Sequence, residues 1–548
     1  EDAKATLVQF PTSFIDLFLG TDQLSPILGP TLNATADISY LPQKKQLSFD
    51  LNAGMISAQA SLEKTDTSLK LTKPAKVSLN LTPEGYASLD HFLNKTPTPF
   101  VLNQPAVVKA SITDFTIPCC EIFDLSKLSC QADLSIDILN FSGKDSAKNT
   151  QLNRVQLHLD HSATAPMVFN LTANGAPEGS ISLKGSLDSG TGMLDLNCRL
   201  DQFPSAALDV VSRSFGKSSV SMATLFGSQV NLIASATLSH WNGPVKLQLN
   251  SPNIRTSLNG SIANGLLHLN EALHMQMTLT PDLSRVLLNS VNPLSLSAIT
   301  AEAPITLEIP AQGFSYPIYP STDALINIPS GRLELGKLYC HNEGNVNITL
   351  GLLKLSQFSQ NQNLELWFAP LDFHIVNGIM ECERTEILIA NTYQVCIWGD
   401  LNFVKRKVDM VLGLTASCLK TAFGITNLPD DYVLQIPMTG PFDNVKINTT
   451  KATAKIAALL LWQQKAVSGA FGKSSAGAVL GQFMSKLGPL PDGNSKAPPP
   501  KRPFPWESGD QKASSKKKKT SEAEPPAKKK KLIVPDEQPF KQVLKMLK

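Results

Sequence analysis

The segment VCIWGDLNFVKRKVDMVLGL (395–414) decides how the chain is read, because it has an earlier counterpart. ISLKGSLDSGTGMLDLNCRL (181–200) lines up with it without a gap. The alignment sets Gly185, Leu187, Asp195 and Leu200 against Gly399, Leu401, Asp409 and Leu414. Each copy reads as two short strands around a turn, which in the later copy is Lys405-Arg406-Lys407. Apolar and polar residues alternate with period two, the pattern of a half-buried strand. A further strand is expected to end at Pro437. Gly440-Pro441-Phe442-Asp443-Asn444 then leads into the next strand, and an alanine-rich helix begins near Lys451.

The same alternation extends to the start of the chain. It appears at Leu47, Phe49, Leu51; at Val77, Leu79, Leu81; at Leu134, Ile136, Ile138; and at Val155, Leu157, Leu159. LVQFPTSFIDLFLG (7–20) reads as an amphipathic helix started by Pro11 and Thr12, and Pro83-Glu84 starts a second. Further matches follow in the same order. Gln9-Phe10-Pro11-Thr12 returns as Gln202-Phe203-Pro204-Ser205, and Leu81-Thr82-Pro83-Glu84 as Leu279-Thr280-Pro281-Asp282. Lys127-Leu128-Ser129-Cys130 returns as Lys337-Leu338-Tyr339-Cys340. The body is therefore expected to hold two β-rich repeats, 1–201 and 202–427, then closing strands and a helix over 428–490. A disordered Pro/Lys-rich tail is expected over 491–548.

Composition agrees with a mainly β protein. Hydrophobic residues make up 42% of the 548, aromatic residues 7% and charged residues 17%. That mixture suits sheets with one apolar and one polar face. The net charge of +3 is uneven: from Lys496 onward 15 Lys/Arg face 6 Asp/Glu, a local +9, leaving −6 on the rest. Lys516, Lys517, Lys518, Lys519 and Lys528, Lys529, Lys530, Lys531 form two clusters able to meet an anionic lipid surface. They also resemble an import signal or a nucleic-acid patch. No aromatic interleaving accompanies them, so specific nucleic-acid recognition is not expected. Pro539–Lys548 reads as a short amphipathic helix.

Catalytic and cofactor chemistry finds no support. The eight cysteines contain no C-x-x-C pair and read as buried thiols, with a bridge from Cys119 or Cys120 to Cys130 left open. His158/His161 and His268/His274 lack a third ligand at useful spacing. Gly216-Lys217-Ser218 and Gly472-Lys473-Ser474 lack the earlier glycine of a phosphate loop, with Val211 and Val467 in its place. A helix stopped by glycine accounts for both. No enzyme and no cofactor is expected. No run of 18 apolar residues is present, and a membrane anchor is expected to lie ahead of Glu1.

The closing block carries a family resemblance. A strand pair around Gly399-Asp400-Leu401 is followed by Val408-Asp409-Met410-Val411-Leu412 and then by Ile436-Pro437-Met438-Thr439-Gly440-Pro441-Phe442-Asp443-Asn444-Val445. This order resembles the C-terminal region of AsmA/TamB-like envelope proteins, which close with a strand, a Gly-x-Phe/Leu-x-Asn/Asp-Pro turn, a strand and an alanine-rich helix. Val445 stands where many members have Pro. The specific likeness covers about 60 residues; the general texture extends over about 460. It implies a long twisted antiparallel sheet forming an apolar groove, anchored in the inner membrane of a bacterial envelope and facing the periplasm. It also implies phospholipid transport, outer-membrane biogenesis and envelope protein partners.

On that reading the groove would be lined by Leu47, Phe49, Leu79, Leu81, Ile136, Ile138, Leu157, Leu247, Leu249, Leu307, Ile309, Leu366, Phe368, Met410 and Leu412. About 25 strands at ~4.8 Å would span on the order of 100 Å. The alternative is an interaction protein of tandem β-sandwiches, the same apolar faces filling closed cores and the basic tail meeting membrane or nucleic acid.

Overall fold

A computed structural model describes residues 2–507 except 20–23, 42–43, 94–97, 99, 119–127, 144–148, 163–164, 177, 189, 210–220, 288–297, 320–321, 342–343, 354–363, 443, 468–489 and 494. The expected architecture holds: 61% strand, 16% helix, antiparallel and not closed into a barrel. The chain divides into two compact units, Glu1–Thr278 with Glu308–Ser321, and Leu279–Leu307 with Thr322–Lys548.

Unit 1 begins with β1 (Asp2–Pro11), then α1 (Thr12–Leu19), α2 (Leu24–Leu28) and β2 (Thr31–Leu41). β3 (Lys44–Ala53), β4 (Ile56–Lys64) and β5 (Ser68–Leu81) follow, then α3 (Pro83–Leu93), β6 (Phe100–Leu102) and β7 (Ala106–Pro118). The ladder continues through β8 (Ser129–Gly143), β9 (Asn149–Ser162), β10 (Ala165–Gly175), β11 (Ser180–Asp188) and β12 (Met193–Pro204). Helical residues 205–209 and α4 (Met222–Phe226) lead into β13 (Gln229–Ser239). β14 (Gly243–Asn250), β15 (Ile254–Ala263), β16 (Leu266–Leu269) and β17 (Leu273–Met277) complete the run.

The recurring Gln-Phe-Pro is a repeated structural device. Gln9 and Gln202 both adopt positive φ, 47° and 45°, at a bulge. Each donates its N–H to an asparagine of the next strand, Asn33 Oδ1 and Asn231 Oδ1, both at 2.8 Å. Thr12 N–H then reaches Pro30 O, as Ser205 N–H reaches Ser228 O. The bulge keeps Leu7–Pro11 in β1, and the first helix starts at Thr12, in agreement with the start expected at Pro11 and Thr12. Asn231→Ala removes the acceptor and is expected to destabilise unit 1 by about 1 kcal/mol, measurable by urea denaturation. The helix starts at Pro83 and Pro281 also agree: Thr82 Oγ1 accepts from Gly85 N–H, and Thr280 Oγ1 from Leu283 N–H.

The matched hairpins at 181–200 and 395–414 form as expected, and the shared glycine has a cause. A Cβ on Gly185 would lie 2.8 Å from Asp195 O, and one on Gly399 would lie 2.6 Å from Asp409 O. The neighbouring strand passes too close for any side chain.

The remaining elements are α5 (Pro281–Leu287), β18 (Ala298–Ala301) and β19 (Ile305–Ile309), the last lying at the division between the units. β20 (Tyr316–Pro317) belongs to unit 1 and pairs with β16. Unit 2 goes on through β21 (Ile328–Glu334), β22 (Lys337–Cys340), α6 (Gly344–Leu352), β23 (Leu364–Phe368) and β24 (Leu371–Val376). Then come β25 (Ile379–Ile389), β26 (Tyr393–Asn402), β27 (Lys407–Thr415), α7 (Ala416–Phe423), β28 (Val433–Pro441), β29 (Lys446–Ile447) and α8 (Thr449–Val467).

β28 does not stop at Pro437. That residue pairs with Val411, while β29 reaches only Met438 and Thr439. An edge-like position tolerates the missing N–H. α7 packs on β26 and β27, and α8 on β28, with Ala452, Ile456 and Leu459 buried.

The tail also departs from expectation. Its described residues between 490 and 507 form a strap held against the strands and the last helix of unit 2. Tyr432 Oη donates to Pro491 O at 2.6 Å, and Gln435 N–H donates to Asp492 Oδ2 at 3.1 Å. Lys455 Nζ pairs with Asp492 at 2.6 Å, and Lys501 Nζ with Asp372 at 2.6 Å. Phe504 is buried, and Trp506 meets Trp367 edge-on at 5.9 Å. Disorder is therefore not the state of this part of the tail. The prolines stiffen the segment, which lowers the entropy lost when it docks. Residues 508–548, with both lysine clusters and the terminal amphipathic segment, lie outside the described residues.

Candidate functional site

In unit 1, residues that face one another across the ladder form continuous rows. One row runs Leu7, Ala34, Leu51, Ala58, Val77, Ala110, Leu134, Leu157, Leu171, Leu183, Cys198, Ala234, Leu247, Leu258. It crosses fourteen strands without a polar residue and passes residue 200, where the sequence sets the expected repeat boundary, without a break. At ~4.8 Å per strand it spans about 60 Å. The adjacent row on the other face, from Thr6 through Asp133 and Lys184 to Asn259, is polar at every position.

None of the fourteen apolar residues is buried: Leu7 is exposed and the other thirteen are half-buried. Among the described residues, Ala75 and Leu238 are buried on one side of this row, and the larger cover lies toward the opposite end of the strands. There Leu32, Ala53, Leu102, Phe141, Leu200, Phe203 and Val230 are buried, next to the helices and their connections. The face is thus closed along one margin and half-buried across its middle.

Unit 2 turns the same periodicity into a closed core. Phe368, Ile387, Val395, Leu414 and Leu434 form a cross-strand row and are 0–1% exposed. The opposite face is covered in part: Glu386, Cys396 and Gly413 are buried, whereas the row Glu381, Asp400, Asp409, Thr439 is exposed. Arg384 Nε pairs with Glu386 Oε1 at 2.8 Å, both side chains buried, and Arg384 Nη1 donates to Pro498 O at 2.7 Å. Burial pushes the Glu386 carboxyl up, with Arg384 pulling against it.

The expected lining residues therefore separate. Leu157 and Leu247 lie in the fourteen-strand row, and Leu79 and Ile136 in the row beside it. Leu47 stands between Ile38 and Leu62, Phe49 between Ala36 and Ala60, and Leu81 opposite Ala106. Leu249 shares this face but is buried at the covered margin. Ile138 is a correction: it is 51% exposed and pairs with Asn153, beside the left-handed Arg154, while Phe141 of opposite parity is buried. Leu366, Phe368, Met410 and Leu412 are corrections too, since a core at 0–1% exposure leaves no surface for a ligand. Ile309 is buried and Leu307 half-buried in β19.

No group of His, Cys, Asp and Glu able to hold a metal occurs among the described residues. His158 Nδ1 instead sits 2.7 Å from Asp133 Oδ1. Cys130, Cys198, Cys382, Cys396 and Cys418 are free thiols, so Cys130 takes no part in the bridge left open by the sequence; Cys119 and Cys120 lie outside the described residues. Burial pushes Cys382, Cys396 and Cys418 up to about 12, and raises Cys198 as well. Thiolates are the reactive form. A maleimide at pH 8 is expected to modify Cys198 and to spare those three until unfolding, with Cys198 labelling rising with pH. Peptide mapping reads the result.

The fold and this face define a class, a long antiparallel β-sheet protein with one half-buried apolar face. Compared with protein-family models, curated proteins and solved structures, the chain matches none. The envelope-family resemblance thus rests on the sequence features alone.

Proposed function

We propose that the chain is a non-enzymatic envelope scaffold that binds phospholipid acyl chains on the half-buried apolar face of unit 1. On this reading it supports lipid transport or outer-membrane biogenesis from a periplasm-facing position. The observation that carries the proposal is the half-buried row from Leu7 to Leu258. An acyl chain in water loses roughly 0.8 kcal/mol per CH₂, on the order of 10 kcal/mol for a long chain. A strip of Leu, Val and Ala removes most of that cost without any directional contact. Unit 2, whose apolar face is filled by a closed core, fits the closed-domain alternative, so acyl binding is assigned to unit 1 alone.

The test is lipid extraction and native mass spectrometry of purified protein. Wild type is expected to carry phospholipid, and Leu157→Arg with Leu183→Arg to lower the load by about tenfold or more while remaining folded. Lipid-free wild type, or a variant loaded like wild type, would overturn the proposal.

A further inference from the structure

Three neighbouring strand connections of unit 1, together with the segment around β20, form a row of tips at the end of the sheet away from the helices. Hydrogen bonds join them: His240 N–H to Gly192 O at 2.9 Å, Asn264 N–H to Asn242 Oδ1 at 2.7 Å, and Ile318 N–H to Gly265 O at 2.8 Å. The side chains they carry are large, apolar or aromatic, and solvent-facing. Trp241 is 74% exposed, Tyr319 82%, Ile318 47%, and Met193 and Tyr316 42% each. No Lys, Arg, Asp or Glu occurs in 239–243, 264–266 or 314–319, and the first tip carries a single one, Asp188. Other tips differ: Lys64-Thr65-Asp66-Thr67 joins β4 to β5 with charged residues.

The tip of β13 and β14 is also conformationally costly. His240 and Trp241 both adopt positive φ, 49° and 65°, where Asn and Gly are the favoured pair. The equivalent tip at Asn264-Gly265 has that favoured pair. Neither turn geometry nor packing accounts for a tryptophan at 241.

We propose that this row of tips seats unit 1 in the interfacial layer of a lipid bilayer. Trp and Tyr concentrate at membrane–water interfaces, where an apolar ring with a polar edge suits both sides. Few charges resist entry: Asp188, whose carboxylate accepts from Gly190 N–H and Thr191 Oγ1, stands in the first tip, and the other three segments carry none. The backbone donors that join the tips already have partners, so moving them out of water strands few polar groups. The inference is independent of acyl-chain cargo, because bilayer attachment and lipid loading are read in separate assays.

The full chain is mixed with phosphatidylcholine vesicles at high salt, which suppresses attraction through the lysine clusters, and sedimented. Binding is expected, and Trp241→Gly with Tyr319→Ser is expected to weaken it by on the order of tenfold per ring. Trp241→Gly relieves the strained turn, so lost binding cannot be assigned to misfolding; thermal stability should hold or rise. Trp241→Tyr should retain most of the binding. Absent binding to phosphatidylcholine overturns the proposal and points to a protein partner for the tips. Binding only to phosphatidylglycerol vesicles at low salt, or binding unchanged in the double variant, also overturns it.

Discussion

Arg384→Ala is expected to destabilise unit 2 by about 3–5 kcal/mol, because it leaves Glu386 buried without its counter-charge. The Glu386 side chain is 1% exposed, and the guanidinium also holds Pro498 O at 2.7 Å. The substitution removes a cation and a contact to the docked strap together. Chemical denaturation should show the loss in the transition of unit 2. Arg384→Ala with Glu386→Leu is expected to recover much of it, since removing both charges abolishes the burial penalty. A loss below about 1 kcal/mol for the single variant would mean that water reaches the pair.

Leu412→Arg and Leu157→Arg should have opposite consequences although both positions belong to alternating strands. Leu412 is 0% exposed between Ile397 and Ile436, so an arginine there buries an unpaired charge. A cost above about 4–5 kcal/mol, enough to unfold unit 2, is expected. Leu157 is half-buried between Leu134 and Leu171, where an arginine reaches water. Its cost is expected near about 1 kcal/mol or less. Circular dichroism with urea titration separates the two. Equal costs would mean that the unit 1 face is covered.

Much of this fold was legible in the sequence, and the hairpins show how far. Period-two alternation located the strands, and Gln-Phe-Pro located the bulged entries into helices. The difference between the units was also written in the aligned segments. Ser182, Lys184, Asn197 and Arg199 of the earlier hairpin correspond to Cys396, Trp398, Val411 and Gly413 of the later one. Polar positions are replaced by apolar or small ones, the signal of a sheet whose second face is covered in part. The docked strap was hidden for a different reason. Pro498-Pro499-Pro500 reads as disorder locally, and its order comes from Arg384, Asp372 and Tyr432, all remote in sequence.

The hairpin order of unit 1 has a further consequence. From β7 to β15 every strand pairs with its successor in sequence. Such an array is quasi-one-dimensional: its stability is a sum of nearest-neighbour terms, and its ends fray before its middle. The length of the apolar strip is then a counted quantity, about 10 Å for each hairpin. Adding or deleting a hairpin would change reach without redesigning a core.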